Sequence, residues 1–311
     1  MQLKHNWDFF GHRKVFYAIP LVIFAIILIF ALIFGVKVDI QFTGGTIATY
    51  SYSGTIDRSA IASAAKEETG LSATVDTSQS LSSDSQQFSI SFGNKQSLSM
   101  ETQQALTDRL ISDFPDNSIE QVSIDSVSAT MGKDFLIKCL IAVLASFVLM
   151  ILYITIRFRR IGGLSAGITG VIALFHDVLM VLGTFIIFRL PIDDNFMAVI
   201  LFILGYSIND TIVIFDRIRE NEKLYGKSLD FPQLLNKSVN QTFTRTLNTS
   251  ISTLIAMISV CVFALIFRVS NILTFAFPMV VGLVAGSYSS LCLTGTIWAT
   301  WKNRKSAAKK K

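Results

Sequence analysis

The chain has 311 residues, of which 51% are hydrophobic and only 16% charged, and its net charge is +5. Charged residues make up about a quarter of an ordinary soluble domain, so this composition excludes one and indicates a chain that buries its apolar surplus in lipid. The positive excess calls for no nucleic acid as a partner, because it sits in short segments flanking apolar runs rather than on one basic face.

Residues 1–14 are polar, and Val15–Val36 follows as the first run long enough to cross the hydrocarbon, which takes about 20 apolar residues. It is longer than a signal-peptide core and no small-residue cleavage site closes it, so it reads as a retained span. Residues 37–134 change character, being rich in Ser, Thr, Gln and Asp. Gly44-Gly45 relieves a tight change of chain direction there or acts as a hinge. Thr46–Tyr52 reads as a strand, and Asp57 caps a helix that Gly70 stops. Ala73–Thr77 is a second strand, followed by a Ser-rich turn, and Phe88–Phe92 alternates strictly as a third. A helix from Leu98 to Phe114 carries Leu106, Leu110 and Phe114 on one stripe until Pro115 ends it, and Ile119–Val127 is a last strand. The order βαββαβ predicts a small ferredoxin-like α+β domain, one sheet with two helices on a face.

Residues 135–298 hold five more apolar runs: Phe135–Ile156, Ile161–Phe188, Phe196–Phe215, Leu247–Phe267 and Ile272–Trp298. Residues 299–311 form a basic tail. Within Arg217–Asn240, Leu229, Pro232, Leu234 and Leu235 suggest a short helix lying at the membrane interface. The fold class is an α-helical polytopic membrane protein of six transmembrane helices, arranged 1+5 around the α+β domain.

Lys and Arg set the orientation. With the N-terminus inside, the cytoplasmic segments carry Lys4, Arg13 and Lys14, then Arg157, Arg159 and Arg160. The next holds Arg217, Arg219, Lys223, Lys227, Lys237 and Arg245, and the tail adds Lys302, Arg304, Lys305, Lys309, Lys310 and Lys311. The short loops opposite have only Arg189 and Arg268. Both termini are therefore expected in the cytoplasm and residues 37–134 outside it. Trp7, Tyr17, Tyr153, Trp298 and Trp301 then fall near the inner interface, where amphipathic rings prefer to sit. Cys139, Cys261 and Cys292 all lie in spans, which offers neither a disulfide framework nor a zinc site. No phosphate loop, nucleophile elbow or metal motif is present, so no cofactor is expected and an ATPase or hydrolase is disfavoured. Gly163-Leu-Ser-Ala-Gly167 and Gly282-Leu-Val-Ala-Gly286 let helices approach closely.

Acids at the centre of a span cost about 2.5–3.5 kcal/mol on insertion scales and need a reason. The third span holds His176-Asp177, and the fourth holds Tyr206-Ser207-Ile208-Asn209-Asp210 before Asp216. Asp210 lies about 22 Å from the helix start at Asn195, at 1.5 Å per residue, still within hydrocarbon. It is the best candidate for a proton carrier, alternately facing Arg245 and a water path lined by Ser207 and Tyr206; the alternative is a structural acid bonded to a neighbouring helix. His176 can relay protons, but one of the His176-Asp177 pair is as readily a packing or tautomer-fixing partner. Asp216 heads a charged run in which a solvated ion pair competes with a site. Arg245 either reaches into the bundle or snorkels.

Gly205-Tyr-Ser-Ile-Asn-Asp-Thr-Ile-Val-Ile-Phe-Asp-Arg-Ile-Arg-Glu220 resembles the signature of the SecF type in the SecD/SecF family of bacterial protein-export membrane subunits, itself similar to half of an RND transporter. Trp7-Asp-Phe-Phe-Gly-His-Arg-Lys14, Phe42-Thr-Gly-Gly-Thr46, His176-Asp-Val178 and Thr244-Arg-Thr-Leu-Asn-Thr-Ser250 resemble further family motifs in the expected order, and the likeness covers essentially the whole chain. It implies a plasma-membrane subunit that pairs with SecD beside the SecYEG channel, with YajC and YidC as possible neighbours. Such a pair draws on the proton gradient, or sodium in some members, to complete export of a polypeptide. Asp210 and Arg245 fall where the family's ion-coupling residues fall, and Asp216, His176, Asp177 and Asn209 lie in the same motifs. One departure is Gln41, where the family usually has Asp before Phe-Thr-Gly-Gly; Asp39 stands two residues earlier. The size of the outside domain favours SecF over SecD, whose domain is larger. The rival readings are a lipid or small-molecule exporter half and a non-transporting scaffold.

Overall fold

The computed structural model describes residues 6–79, 86–92, 98–226, 228–267 and 269–309. The Ser-rich turn expected after Thr77 and the charges Lys4, Lys227, Arg268, Lys310 and Lys311 lie outside them. The first helix, α1 (Arg13–Phe34), ends where the Gly35 N–H donates to Ala31 O at 2.9 Å. The chain then runs extended, and Val38 bridges Ile192 in parallel. Asp39 caps α2 (Ile40–Thr43), its carboxylate accepting from the Gln41 N–H at 2.9 Å. Four residues are too few to show a period, so this turn has no signature in the sequence. Gly44 and Gly45, at φ 81° and 147°, turn the chain into β1 (Gly45–Tyr52). A side chain at Gly45 would collide with the Phe92 carbonyl on the neighbouring strand, so both backbone angle and space demand glycine.

After β1 come α3 (Arg58–Thr69), β2 (Ala73–Gln79), β3 (Gln86–Phe92), α4 (Met100–Asp113) and β4 (Glu120–Val127), in the expected order βαββαβ. Asp57 caps α3 and left-handed Gly70 closes it, while Pro115 opens the 3-10 turn that ends α4. The strands pair antiparallel in the order β2-β3-β1-β4. One sheet face presents Ala48, Tyr50, Phe88, Ile90 and Phe92 to Ile61 and Ala65 of α3 and to Leu106 and Leu110 of α4. The buried Tyr50 hydroxyl is satisfied by Thr107 Oγ1 at 3.0 Å. Arg109 of α4 ties the helices together through Glu67 and Glu68 of α3.

The remaining helices are α5 (Ala129–Arg157), α6 (Gly163–Ile187), α7 (Asp194–Tyr225) and α8 (Phe231–Ile266). A last span runs through α9 (Ser270–Tyr288), a π-helical segment (Ser289–Thr294) and α10 (Gly295–Lys309). With α1, six helices are long and apolar enough to cross a membrane. Leu32 of α1 is 78% exposed and Ile156 of α5 is 72% exposed, and many other large apolar side chains of these two helices, Leu21, Ile33, Leu144 and Leu149 among them, are exposed as well. Apolar surface on that scale requires lipid, and the molecule is a multi-pass membrane protein.

Two expectations are corrected here. The helix of the fourth span continues past Phe215, and no separate short helix lies between it and the helix of the fifth. Instead α7 runs for 32 residues and α8 for 36. Asp230 and Gln233 form a reciprocal capping box with Pro232 in the first turn, and no breaker separates Phe231 from Leu247. At 1.5 Å per residue these helices are about 48 and 54 Å long, well beyond the roughly 30 Å of hydrocarbon, so they project as a two-helix stalk. The stalk is cemented by buried Asn221, whose Nδ2 donates to Ser238 Oγ and Gln241 Oε1, each at 2.8 Å. Trp298, at the same end of the bundle, faces the protein interior. It is fully buried against Phe215 and Phe231, and its Nε1 donates to Ser165 Oγ at 3.0 Å.

Candidate functional site

Where α6, α7 and the π segment meet, the interior of the bundle is polar. Asp177 of α6 is wholly enclosed. Its Oδ2 accepts from Ser207 Oγ of α7 at 2.6 Å and from Ser289 Oγ at 2.9 Å, while Oδ1 lies 2.9 Å from His176 Nδ1. The His176 ring packs between Phe24 of α1 and Tyr288 of α9, with centroids 5.5 and 6.1 Å away. Gly286 permits the arrangement: a β-carbon there would lie 3.1 Å from Ser207 Cβ and 3.7 Å from Asp177 Oδ2. The small-residue pattern Gly282–Gly286 thus brings α9 against the acid.

The π segment supplies the next layer. Ser290 Oγ donates to the Ser207 carbonyl at 3.2 Å and pairs with Thr211 Oγ1 at 3.1 Å. Single π turns inside α-helices are frequent at functional sites. Asp210, one turn beyond Ser207, faces α8 and is 3% exposed. Its one side-chain hydrogen bond among the described residues is long, from Ser250 Oγ at 3.5 Å, and Ser250 in turn accepts from Ser287 Oγ of α9 at 2.7 Å. The two acids are therefore held differently. Asp177 is saturated by donors from three elements, whereas Asp210 is loosely held at the α7–α8–α9 junction.

The other candidates lie elsewhere. Arg245 is exposed on α8 and makes no direct ion pair with Asp210 among the described residues, yet it stands close enough for its charge to act on that carboxyl. Asp216 pairs with Arg219 at 2.7 Å and with Arg157 at 3.2 Å. Asn209 is exposed on the outer side of α7. Gly44 and Gly45 stand at the far end, beside the sheet. There Gln41 Oε1 accepts from the Asp194 N–H at 3.3 Å, at the start of α7. Neighbouring Asp193 caps the same helix through the Phe196 N–H at 3.1 Å, and burial pushes its carboxyl above the usual range. Among the described residues no group of three or more His, Cys, Asp or Glu is placed to hold a metal.

Ser250, Ser287, Ser289, Ser290 and Thr211 were not singled out from the sequence as partners of the acids. The available signal was Gly286-Ser-Tyr-Ser-Ser290, a run of hydroxyls inside an apolar span.

Residues 108–304 match the family described as protein export membrane protein SecD/SecF, C-terminal. Over 298 residues, 94% of this chain and 95% of the relative, the chain is 33% identical to protein translocase subunit SecF of Petrotoga mobilis. Over 178 residues, 57% of this chain and 55% of the relative, it is 43% identical to protein translocase subunit SecF of Sebaldella termitidis. The crystal structure of SecDF from Thermus thermophilus, described as a translocon-associated membrane protein, matches 97% of this chain with a TM-score of 0.80 at 29% identity. This chain spans 40% of that longer one.

Proposed function

Because the chain belongs to the SecD/SecF family of protein-export membrane proteins, we propose that it is a SecF-type subunit of a bacterial Sec translocase. It works with a SecD-type half and uses the proton (or sodium) gradient to promote late steps of export through SecYEG. It is a transport subunit rather than an enzyme. In this reading the βαββαβ unit is a ferredoxin-like domain outside the cell membrane, and the basic stalk and both flanking segments are cytoplasmic, as the charge asymmetry favours.

The observation that carries the reading is the contrast between the two intramembrane acids. Asp177, fixed by His176, Ser207 and Ser289, serves as a rigid reference. Asp210, whose one side-chain hydrogen bond among the described residues comes from Ser250 Oγ at 3.5 Å, is free to exchange its partner for a proton or ion. Changing its charge alters its hold on the Ser250–Ser287 link and so the packing of α8 on α9. One charge moving through 100 mV supplies about 2.3 kcal/mol, comparable with a few hydrogen bonds worth about 1 kcal/mol each. That suffices to bias a two-state arrangement. Movement of α7 reaches the sheet through Gln41 and α2, which meet its first turn. The SecD-type half covers the exposed polar strip of α7 and α8 at this depth, where Asn209, Asn248, Thr249 and Ser252 face outward.

The test is Asp210→Asn in cells depleted of the native copy, following release of a secreted reporter. Release should fall at least tenfold while membrane level and SecD co-purification stay unchanged. Release at the wild-type rate would sink the coupling role and leave a scaffold.

A further inference from the structure

Thr242, Thr246 and Ser250 stand one helical turn apart along α8, so their hydroxyls share one face and climb about 6 Å at each step. That face is turned into the bundle, and all three side chains are buried. The two ends of the row are bonded. Ser250 Oγ donates to Asp210 at 3.5 Å, and Thr242 Oγ1 donates to the Ser238 carbonyl at 3.0 Å. The middle hydroxyl differs: Thr246 is 1% exposed, and its Oγ1 has no hydrogen-bond partner among the described residues. A helical threonine ordinarily satisfies its hydroxyl on the carbonyl one turn back, as Thr242, Thr249 and Thr253 of the same helix do. Leaving a buried hydroxyl unpaired is unfavourable, so the position calls for a small polar partner.

The row also leads somewhere. At the basic end of the bundle a cavity of about 490 Å³ opens between α7 and α8, with room for several waters. Thr242 lines it, and so do Val213, one turn from Asp210, and Arg245, whose charge acts on the Asp210 carboxyl. Thr246 therefore lies between this cavity and the acid. The step of about 6 Å between neighbouring hydroxyls is one that a single water spans with two hydrogen bonds of about 2.8 Å.

We propose that Thr246 Oγ1 holds a water through which the coupling proton leaves Asp210 for this cavity. The inference deepens the function proposed above and rests on it. The O–H bond of the protonated Asp210 carboxyl breaks, and its proton passes to the water at Thr246. That water yields one of its protons to water in the cavity, and Asp210 is left as a carboxylate within reach of the Arg245 charge. A hydroxyl suits the post because it both donates and accepts, and so holds a water in either orientation. Thr246 is a positioning residue, since it takes no proton itself.

Inverted membrane vesicles carrying the full chain with its SecD-type half would be loaded with a pH-sensitive dye in sodium-free buffer. The quantity read is the part of the proton flux, under an imposed gradient, that Asp210→Asn removes. Thr246→Val keeps the branched shape and loses only the hydroxyl; it should cut that part about tenfold, whereas Thr246→Ser should hold it within about twofold. Thr169→Val, which removes a buried hydroxyl of α6 away from the row, should also hold it within about twofold. In thermal unfolding Thr246→Val should be no less stable than wild type, because the lost hydroxyl bonds nothing in the protein. A lowered transition together with lost flux would mean damaged packing and overturn the route, as would an equal loss in Thr169→Val. Full flux in Thr246→Val, with Asp210→Asn still lowering it, would overturn the route and leave the coupling role of Asp210 standing. Proton flux that Asp210→Asn does not lower would overturn the route as well, and reporter release would then decide whether Asp210 couples another ion or none.

Discussion

The fully buried side chains of the sheet domain are Tyr50, Phe88, Ile90, Phe92, Leu106 and their neighbours, and its outer faces are polar. Between the spans the most enclosed groups include Asp177, Ser207, Ser289 and Ser290, while Leu32 and Ile156 face outward. The two regions answer to different solvents. In water, the apolar face must be hidden and its packing holds the domain together. In lipid, apolar surface gains nothing by being hidden, so close backbone approach and interior hydrogen bonds decide which helix faces meet.

Substitutions that remove volume should therefore hurt the first region, and substitutions that add it should hurt the second. Phe88→Ala should cost about 3–5 kcal/mol by leaving a cavity under the sheet. Hydrogen exchange should then show lost protection in β1 and β3 with α6 and α7 unchanged; loss in all four would mean that the regions unfold as one unit. Gly286→Val should cost about 1–3 kcal/mol by overpacking against Ser207 and forcing Ser289 from Asp177. Thermal unfolding in detergent would register this as a lowered bundle transition with the sheet's own transition unmoved. The smallest effect is expected for Leu32→Ala, within about 0.5 kcal/mol by the same measurement, because that side chain meets no protein core. A larger loss there would place Leu32 in an interface and narrow the contrast.

The same difference explains what could be read from the residues alone. The alternation of Phe88–Phe92, the Asp57 cap, the Gly70 stop and the Leu106–Leu110 stripe each report burial against water, and together they announced the element order. The strand order β2-β3-β1-β4 has no such local mark, because pairing across the sheet is a long-range choice. In the spans the lipid-facing and protein-facing sides are both apolar, so periodicity did not say that Trp298 turns inward or that Asn209 turns outward. His176, Asp177 and Asp210 stood out as polar residues where none is expected. Their partners did not, because Ser250 and Ser289 are common enough in membrane helices to pass unnoticed. The continuous stalk was missed for a related reason: the polar stretch from Asn236 to Thr246 looks like a connector after the short helix, because its buried Ser238, Val239, Thr242 and Thr246 include only one apolar side chain.

The π segment Ser289–Thr294 has a consequence for the span that contains it. A π turn holds one residue more than an α turn, and one residue of α-helix is worth about 100° of rotation. The surplus residue resets the angular phase of everything after it, so the upper half can aim Ser289 and Ser290 at α6 and α7 while the lower half aims Trp298 at Phe215 and Phe231. This span is two keyed surfaces on one shaft, offset by a single tooth, and deleting any one residue between Ser289 and Thr294 would leave only one of them in mesh.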